Sequence, residues 1–273
     1  MRSAGRWQRR LGAAGLGALG LLAVLAPVVA RHPNAVHLGA VWSPPSARFW
    51  LGTDGAGRDL WARLVFGTRL SLGLGGAAAL LATAFGGLWG LVAGYAGGWV
   101  DGLLTRVTEF WLAAPLLIWL VFLADWWGQL GWPAWVGLVA LGLWPPVARA
   151  VRARAGSFRQ QPFVEAERGL GASPARILFR HLLPPVAGLV LALFPNVLAE
   201  AIYVEAALSF LGLGPPPPAA DWGTLLAEAV AGGMWVDPLA LVWPGLAIVW
   251  AVAAATLLAE GLRRGLALSG EAE

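Results

Sequence analysis

Side-chain chemistry needs a nucleophile with a base in reach, a cluster of metal ligands or a cradle for phosphate, and this sequence offers little of each. It has no cysteine, which excludes disulfide frameworks, thiolate zinc sites and thiol chemistry. Its three histidines, His32, His37 and His181, lack metal-ligand spacing, so neither a metal nor any other cofactor is expected. Ser71 and Ser209 have no His or Lys on a segment that could face them, so the nucleophile–base pair of an intramembrane hydrolase or acyltransferase is missing. There is no GxxxxGK[ST] phosphate loop, and Gly55-Ala56-Gly57 is too short for a dinucleotide loop. The chain should not bind ATP, and no catalytic residue is expected.

Carboxylates and arginines remain. Glu200 and Glu205 fall in an otherwise apolar stretch, where an ionisable side chain is a functional hypothesis by default. For Glu205 a gating or structural role is expected ahead of direct solute contact. Glu109 follows Arg106 by three residues, the spacing of an intrahelical pair. The richest stretch is 163–184, FVEAERGLGASPARILFRHLLP. Phe163, Ala166 and Leu170 recur at i, i+3 and i+7, giving one apolar face of a short helix, with Glu165 and Arg168 opposite. Gly169 and Gly171 permit a sharp turn or a helix end. Ser173 is an N-cap and Pro174 the first position of a second short helix, expected to stop at Pro184-Pro185, where the next span begins. Two short helices folded about glycine could dock into a groove on another protein. A plain interfacial loop, its arginines on lipid phosphate, fits the residues equally well.

The elements that must hold these residues are set by composition. The 273 residues are 58% hydrophobic and only 12% charged, with a mean hydropathy of +0.68; a soluble chain is about one quarter charged. Charge-free stretches cover 70–100, 126–148, 181–199 and 238–259, each near the ~20 residues that cross a bilayer as a helix. Six spans are expected, at about 11–30, 69–93, 103–124, 134–150, 185–211 and 238–261. The first could be a leader peptide cut after Ala30, but it exceeds the roughly 7–15 apolar residues of a leader. It is expected to stay as a helix. Trp126, Trp127, Trp132 and Trp135 between the third and fourth spans suit a membrane–water boundary. All nineteen basic residues are arginine. Alternate connections carry fourteen and five of them, which places both termini and the 149–184 loop in the cytoplasm. Of the five outer arginines, Arg58 and Arg63 have acidic residues four positions earlier, Asp54 and Asp59, the spacing of helical ion pairs. Pro215–Pro218 reads as a stiff outer connector.

Five motifs then carry a resemblance. Glu165-Ala166-Glu167, Gly171, His181 and Leu183-Pro184 stand at the spacing of the EAA loop of ABC importer permeases. Four further stretches resemble the second permease of the dipeptide, oligopeptide and nickel branch. They are Leu51–Asp54 with Gly57-Arg58-Asp59, Gly94–Asp101, Arg106–Pro115, and Glu205–Gly214 with Trp222-Gly223. The resemblance covers roughly 50–262 and departs at Glu167, where the motif has Ala, and at His181, where it has Ile. It implies an all-α membrane fold of six helices, the type I importer permease fold. Residues 1–66 would hold the first helix and outer connection, 67–264 the core, and 265–273 a cytoplasmic tail. The implied partners are a homologous second permease, two cytoplasmic ATP-binding subunits and an external solute-binding protein, with membrane lipid around them and no nucleic acid. Glu165, Ala166, Glu167, Gly171, Ser173, Pro174, Leu183 and Pro184 would contact the ATPase, and Glu200 and Glu205 would gate or brace. The implied solute is a peptide or nickel complex; an opine, glutathione or an oligosaccharide is the alternative. A secondary transporter is the weaker rival, since charged mid-membrane relays are missing.

Overall fold

The computed structural model describes residues 2–30, 32–128, 131–232 and 237–270. Ten helices are described: α1 (Arg2–Val29), α2 (Leu60–Ala96), α3 (Gly98–Leu112), α4 (Leu116–Trp127), α5 (Trp132–Arg159), α6 (Pro162–Gly169), α7 (Pro174–Arg176), α8 (Leu183–Phe210), α9 (Trp222–Gly232) and α10 (Leu239–Gly270). No strand occurs among the described residues beyond a single bridge between Thr53 and Asp59. Five stretches are long and apolar enough to cross a membrane: Gly5–Val29, Leu60–Ala96, Trp132–Arg159, Pro174–Phe210 and Leu239–Gly265. The α3–α4 pair qualifies as a sixth, bent by 86°. The fold is the expected all-α membrane architecture.

The bend falls inside what reads as one apolar run, 103–124. Pro115 has no N–H to give to the ladder and disfavours helical backbone at Ala114 before it. Here α3 ends at Leu112, and Pro115 caps α4 in an extended conformation. Other boundaries also move. The second span starts at Leu60, because the Asp59 side chain accepts from the Trp61 amide and caps it. The fourth runs about two and a half turns past 150, so 149–159 is helix rather than loop. Pro184-Pro185 does not end a helix: a π-helical turn at Ile177–Leu182 joins α7 to α8, and the prolines lie at its first positions, where amides need no partner. Trp135 is buried, its Nε1 donating to the Leu213 carbonyl at 2.9 Å, while Trp126, Trp127 and Trp132 are exposed.

The core sits where α2, α5 and α8 meet. Gly86, Gly90 and Gly94 repeat every fourth residue along α2, and a Cβ on any of them would lie 2.3–2.5 Å from the carbonyls of Trp144, Ala148 and Arg152 on α5. Bare backbone on one helix lets the other approach closely, the device that drives helix association where lipid competes for apolar contact. α1 packs antiparallel on α10, with Gly5 beside Arg264 and Gly12 beside Leu258. Both described ends of the chain, the α2–α3 elbow and helices α6–α7 therefore share one end, the basic end. Residues 32–59 and α9 lie at the opposite end, where α9 packs on α8, α10 and α2.

Candidate functional site

At the basic end, α6 and α7 form a small foot beneath the spans. α6 closes on glycine: the amide of Gly171 donates to Arg168 and that of Ala172 to Glu167, both at 3.0 Å, the paired bonds of a Schellman cap. Gly171 holds φ at +80°, a left-handed conformation that costs other residues about 1–2 kcal/mol. Ser173 then caps α7, accepting from the Arg176 amide at 3.3 Å, with Pro174 next to it as expected. The apolar face read from the sequence points outward. Phe163, Ala166 and Leu170 are exposed, and Val164 is the buried residue of α6. Glu165, Ser173, Pro174 and Pro184 are exposed too, while Glu167 and Leu183 are half-buried.

Glu167 and His181 face each other, Oε1 to Nε2 at 3.5 Å. The two positions at which the chain departs from the EAA pattern are thus partners, and the contact carries full charge only when the imidazole is protonated.

Three arginines tie the foot and the end of α5 to the α2–α3 elbow. Arg152 makes a bidentate pair with Asp101, donating from Nε to Oδ1 and from Nη2 to Oδ2, the latter at 2.8 Å. Arg159 lies on Gly97, where any side chain would collide with its guanidinium. From α6, Arg168 lies over the Tyr95 ring, 5.4 Å from its centroid, a cation–π contact. Asp101, Arg152, Arg159, Glu165 and Arg168 line one polar cleft of about 620 Å³. The Arg106–Glu109 pair expected from spacing does not form. Both side chains are exposed, and Glu109 lines a second cleft together with Arg149 and Arg152.

The opposite end holds a different arrangement. Arg63 is buried and donates to Asp54 at 2.8 Å and to both oxygens of Glu228 on α9, at 3.1 Å for Oε1. Arg58 reaches the same acids, Asp54 at 2.7 Å and Glu228 at 2.9 Å. The Asp54–Arg58 pair forms, but not on the expected helix: residues 54–58 make a turn in which Asp54 Oδ1 also accepts from the Ala56 and Arg58 amides, both at 2.9 Å. Asp59 and Arg63 do not pair, because an N-cap carboxylate turns to the amides of its own first turn. Burial alone would raise the Asp54 carboxyl, but amide hydrogen bonds and Arg58 hold it below its ordinary 3.8.

Glu205 and Glu200 part company. Glu205 is fully buried against Asp221 and Ser71. Around it Ser209 donates to Asp221 at 2.7 Å and the Trp222 amide donates to Ser71 at 3.1 Å, so the cluster fastens α8, α2 and the start of α9 together. Glu200 is exposed, and no ion pair or hydrogen bond to it forms among the described residues.

Residues 86–267 match the family described as binding-protein-dependent transport system inner membrane component. The chain belongs to this family. Its relatives include a Brucella suis protein named as a peptide permease, 40% identical over 85% of this chain and 76% of the relative. The glutathione transport system permease protein GsiD of Pectobacterium atrosepticum is 37% identical over 81% and 73%. The oligopeptide transport system permease protein OppC of Bacillus subtilis is 32% identical over 90% and 80%. The chain is thus a multi-pass inner-membrane component of a transport system. The family match begins at the α2–α5 glycine seam and takes in elbow, foot and α8, while the Asp54–Arg63 half of the opposite-end network precedes it.

The sequence missed several members of these sites, Arg152, Arg159 and Asp221 among them. Tyr95 and Asp101 fall in a stretch singled out by resemblance, although nothing in its spacing named their arginine partners. Glu228 carried no signal at all, standing 170 residues from Arg58.

Proposed function

We propose that this permease carries peptides across the cytoplasmic membrane, driven by ATP hydrolysis in partner subunits that grip the foot. The observation that supports it most is the foot itself: a glycine-turned helix pair with Phe163, Leu170 and Phe179 exposed, joined by Arg168 and Tyr95 to the elbow at the end of α2. A helix laid in a partner's groove offers such apolar anchors, and load applied there would reach α2 and α3 directly. In this reading Glu165, Ala166, Glu167, Gly171, Ser173 and Pro174 contact an ATP-binding subunit, while Leu183 and Pro184 carry the foot into α8. Glu205 braces the far end. The assembly comprises a homologous second permease, two ATP-binding subunits and an external solute-binding protein. The arginine-rich end, with both termini, faces the cytoplasm, in line with the fourteen-to-five split of arginines. Peptides are the favoured solute because relatives named for peptides, oligopeptides and glutathione all match most of the chain.

The test is reconstitution of the complete assembly into liposomes with the binding protein present. ATP-dependent accumulation of a labelled dipeptide, lost when this chain is omitted, is the expected result. An intact, ATP-hydrolysing assembly that moves no peptide would remove the solute assignment, and ATP turnover by the purified chain alone would contradict the division of labour.

A further inference from the structure

The exposed surfaces of two spans differ in kind. On α10 the exposed large side chains include Val242, Leu246, Val249 and Trp250, all apolar, as a lipid-facing surface should be. On α8 the exposed positions Asn196, Glu200 and Tyr203 stand at i, i+4 and i+7, one stripe on one face. Asn196 and Glu200 do not lie at the membrane boundary. Gly75 rests on Ile202 and Gly87 on Val190, so the antiparallel register sets Glu200 level with Ala77 and Asn196 level with Leu81. Both neighbours lie well inside the charge-free run of α2. The stripe continues through half-buried Leu193 and Leu189 toward the basic end and through Phe210 toward the other, so it is polar only in its middle part.

An ionisable side chain at this depth does not face hydrocarbon; it faces a partner or water. Among the described residues no cation balances Glu200. We propose that Asn196, Glu200 and Tyr203 line the water-filled path of the solute, and that the Glu200 carboxylate receives the solute's cationic amine. This rests on the reading of the chain as a peptide permease, because a peptide's α-amino group, with an ordinary pKa near 8, is cationic at neutral pH. Water and a passing ammonium supply the charge balance that no described residue provides, and Asn196 and Tyr203 add hydrogen-bonding groups on either side.

The absence of cysteine makes the stripe directly testable. Single-cysteine variants Asn196→Cys, Tyr203→Cys and, as a lipid-facing control, Val249→Cys are assembled with all partner subunits in liposomes. They are treated with a cationic (trimethylammonium-ethyl) or an anionic (sulfonato-ethyl) methanethiosulfonate. These reagents need a solvated thiolate, so the two stripe positions should react at least about tenfold faster than the Val249 control in one nucleotide state or another. At Asn196→Cys the cation-to-anion rate ratio should fall roughly three- to tenfold when Glu200→Gln is added, the size expected from a unit charge about 6 Å away in water and salt.

Labelling no faster than the control in every nucleotide state would overturn the path, leaving the stripe against lipid or another subunit. An unchanged rate ratio would overturn the role of Glu200. Labelling needs no transported solute, so failed dipeptide uptake beside rapid labelling would count against the proposed solute and not against the stripe.

Discussion

The two ends of this permease hold their charges in opposite ways. At the far end Arg63 is 1% exposed and Asp54 7%, and four groups share one network that joins the outer connection, the start of α2 and α9. At the basic end the ion pairs within the foot and between α5 and the elbow are separate and left partly in water: Arg152 is 39% exposed against Asp101, and Glu167 and His181 are 29% and 26% exposed. Buried, cross-linked charges lose a great deal when one partner goes, whereas half-solvated pairs are worth little and re-form readily. The far end therefore reads as a clasp and the foot as a joint that can change partners during a cycle.

The strongest way to break this contrast is Arg63→Ala. It leaves Asp54 and Glu228 sharing Arg58 alone and should cost roughly 2–3 kcal/mol, seen as a lower denaturation temperature in detergent. An equal loss from Arg152→Ala would erase the distinction between clasp and joint. Acid sharpens it. The folded-state pKa of Asp54 is depressed, so its contribution is complete above the unfolded value near 3.8 and is lost as pH falls through the lower folded value. Thermal stability should drop across that acid window, and Asp54→Asn should flatten the drop.

Gly171→Val tests the joint. Nothing lies within 4 Å of a Cβ there, so the substitution pays only backbone strain of about 1–2 kcal/mol. Membrane insertion should survive while ATP-driven uptake falls severalfold; normal uptake would remove the glycine turn from the mechanism. The smallest effect belongs to Glu167 and His181. A double-mutant cycle with Glu167→Ala and His181→Ile should give a coupling of about 0.5 kcal/mol or less.

The spans were legible because twenty apolar residues without charge admit few other structures, and the foot because serine–proline and glycine punctuate helices wherever they occur. The bend at Pro115 carried a sign, the proline itself, but the apolar run through it looked like one rod. α9 went unread because its 11 residues are too short to span and follow a proline-rich connector. Charge pairs were read from spacing along one helix, which found Asp54–Arg58 although it sits in a turn, and misassigned both Arg63 and Glu109. The partners of Arg63, on α9 and in the outer connection, were chosen by packing between distant segments, and sequence spacing holds no record of that.

ATP-binding subunits are expected to take hold at the foot. Leu170 is 83% exposed at its tip, and the chain supplies no competing cysteine. In the assembled importer, a Leu170→Cys variant treated with a short thiol-to-amine cross-linker should join an ATP-binding subunit, with a yield that changes between nucleotide-free and ATP-bound states. An intact, ATP-hydrolysing assembly that gives no such product in either state would contradict the account.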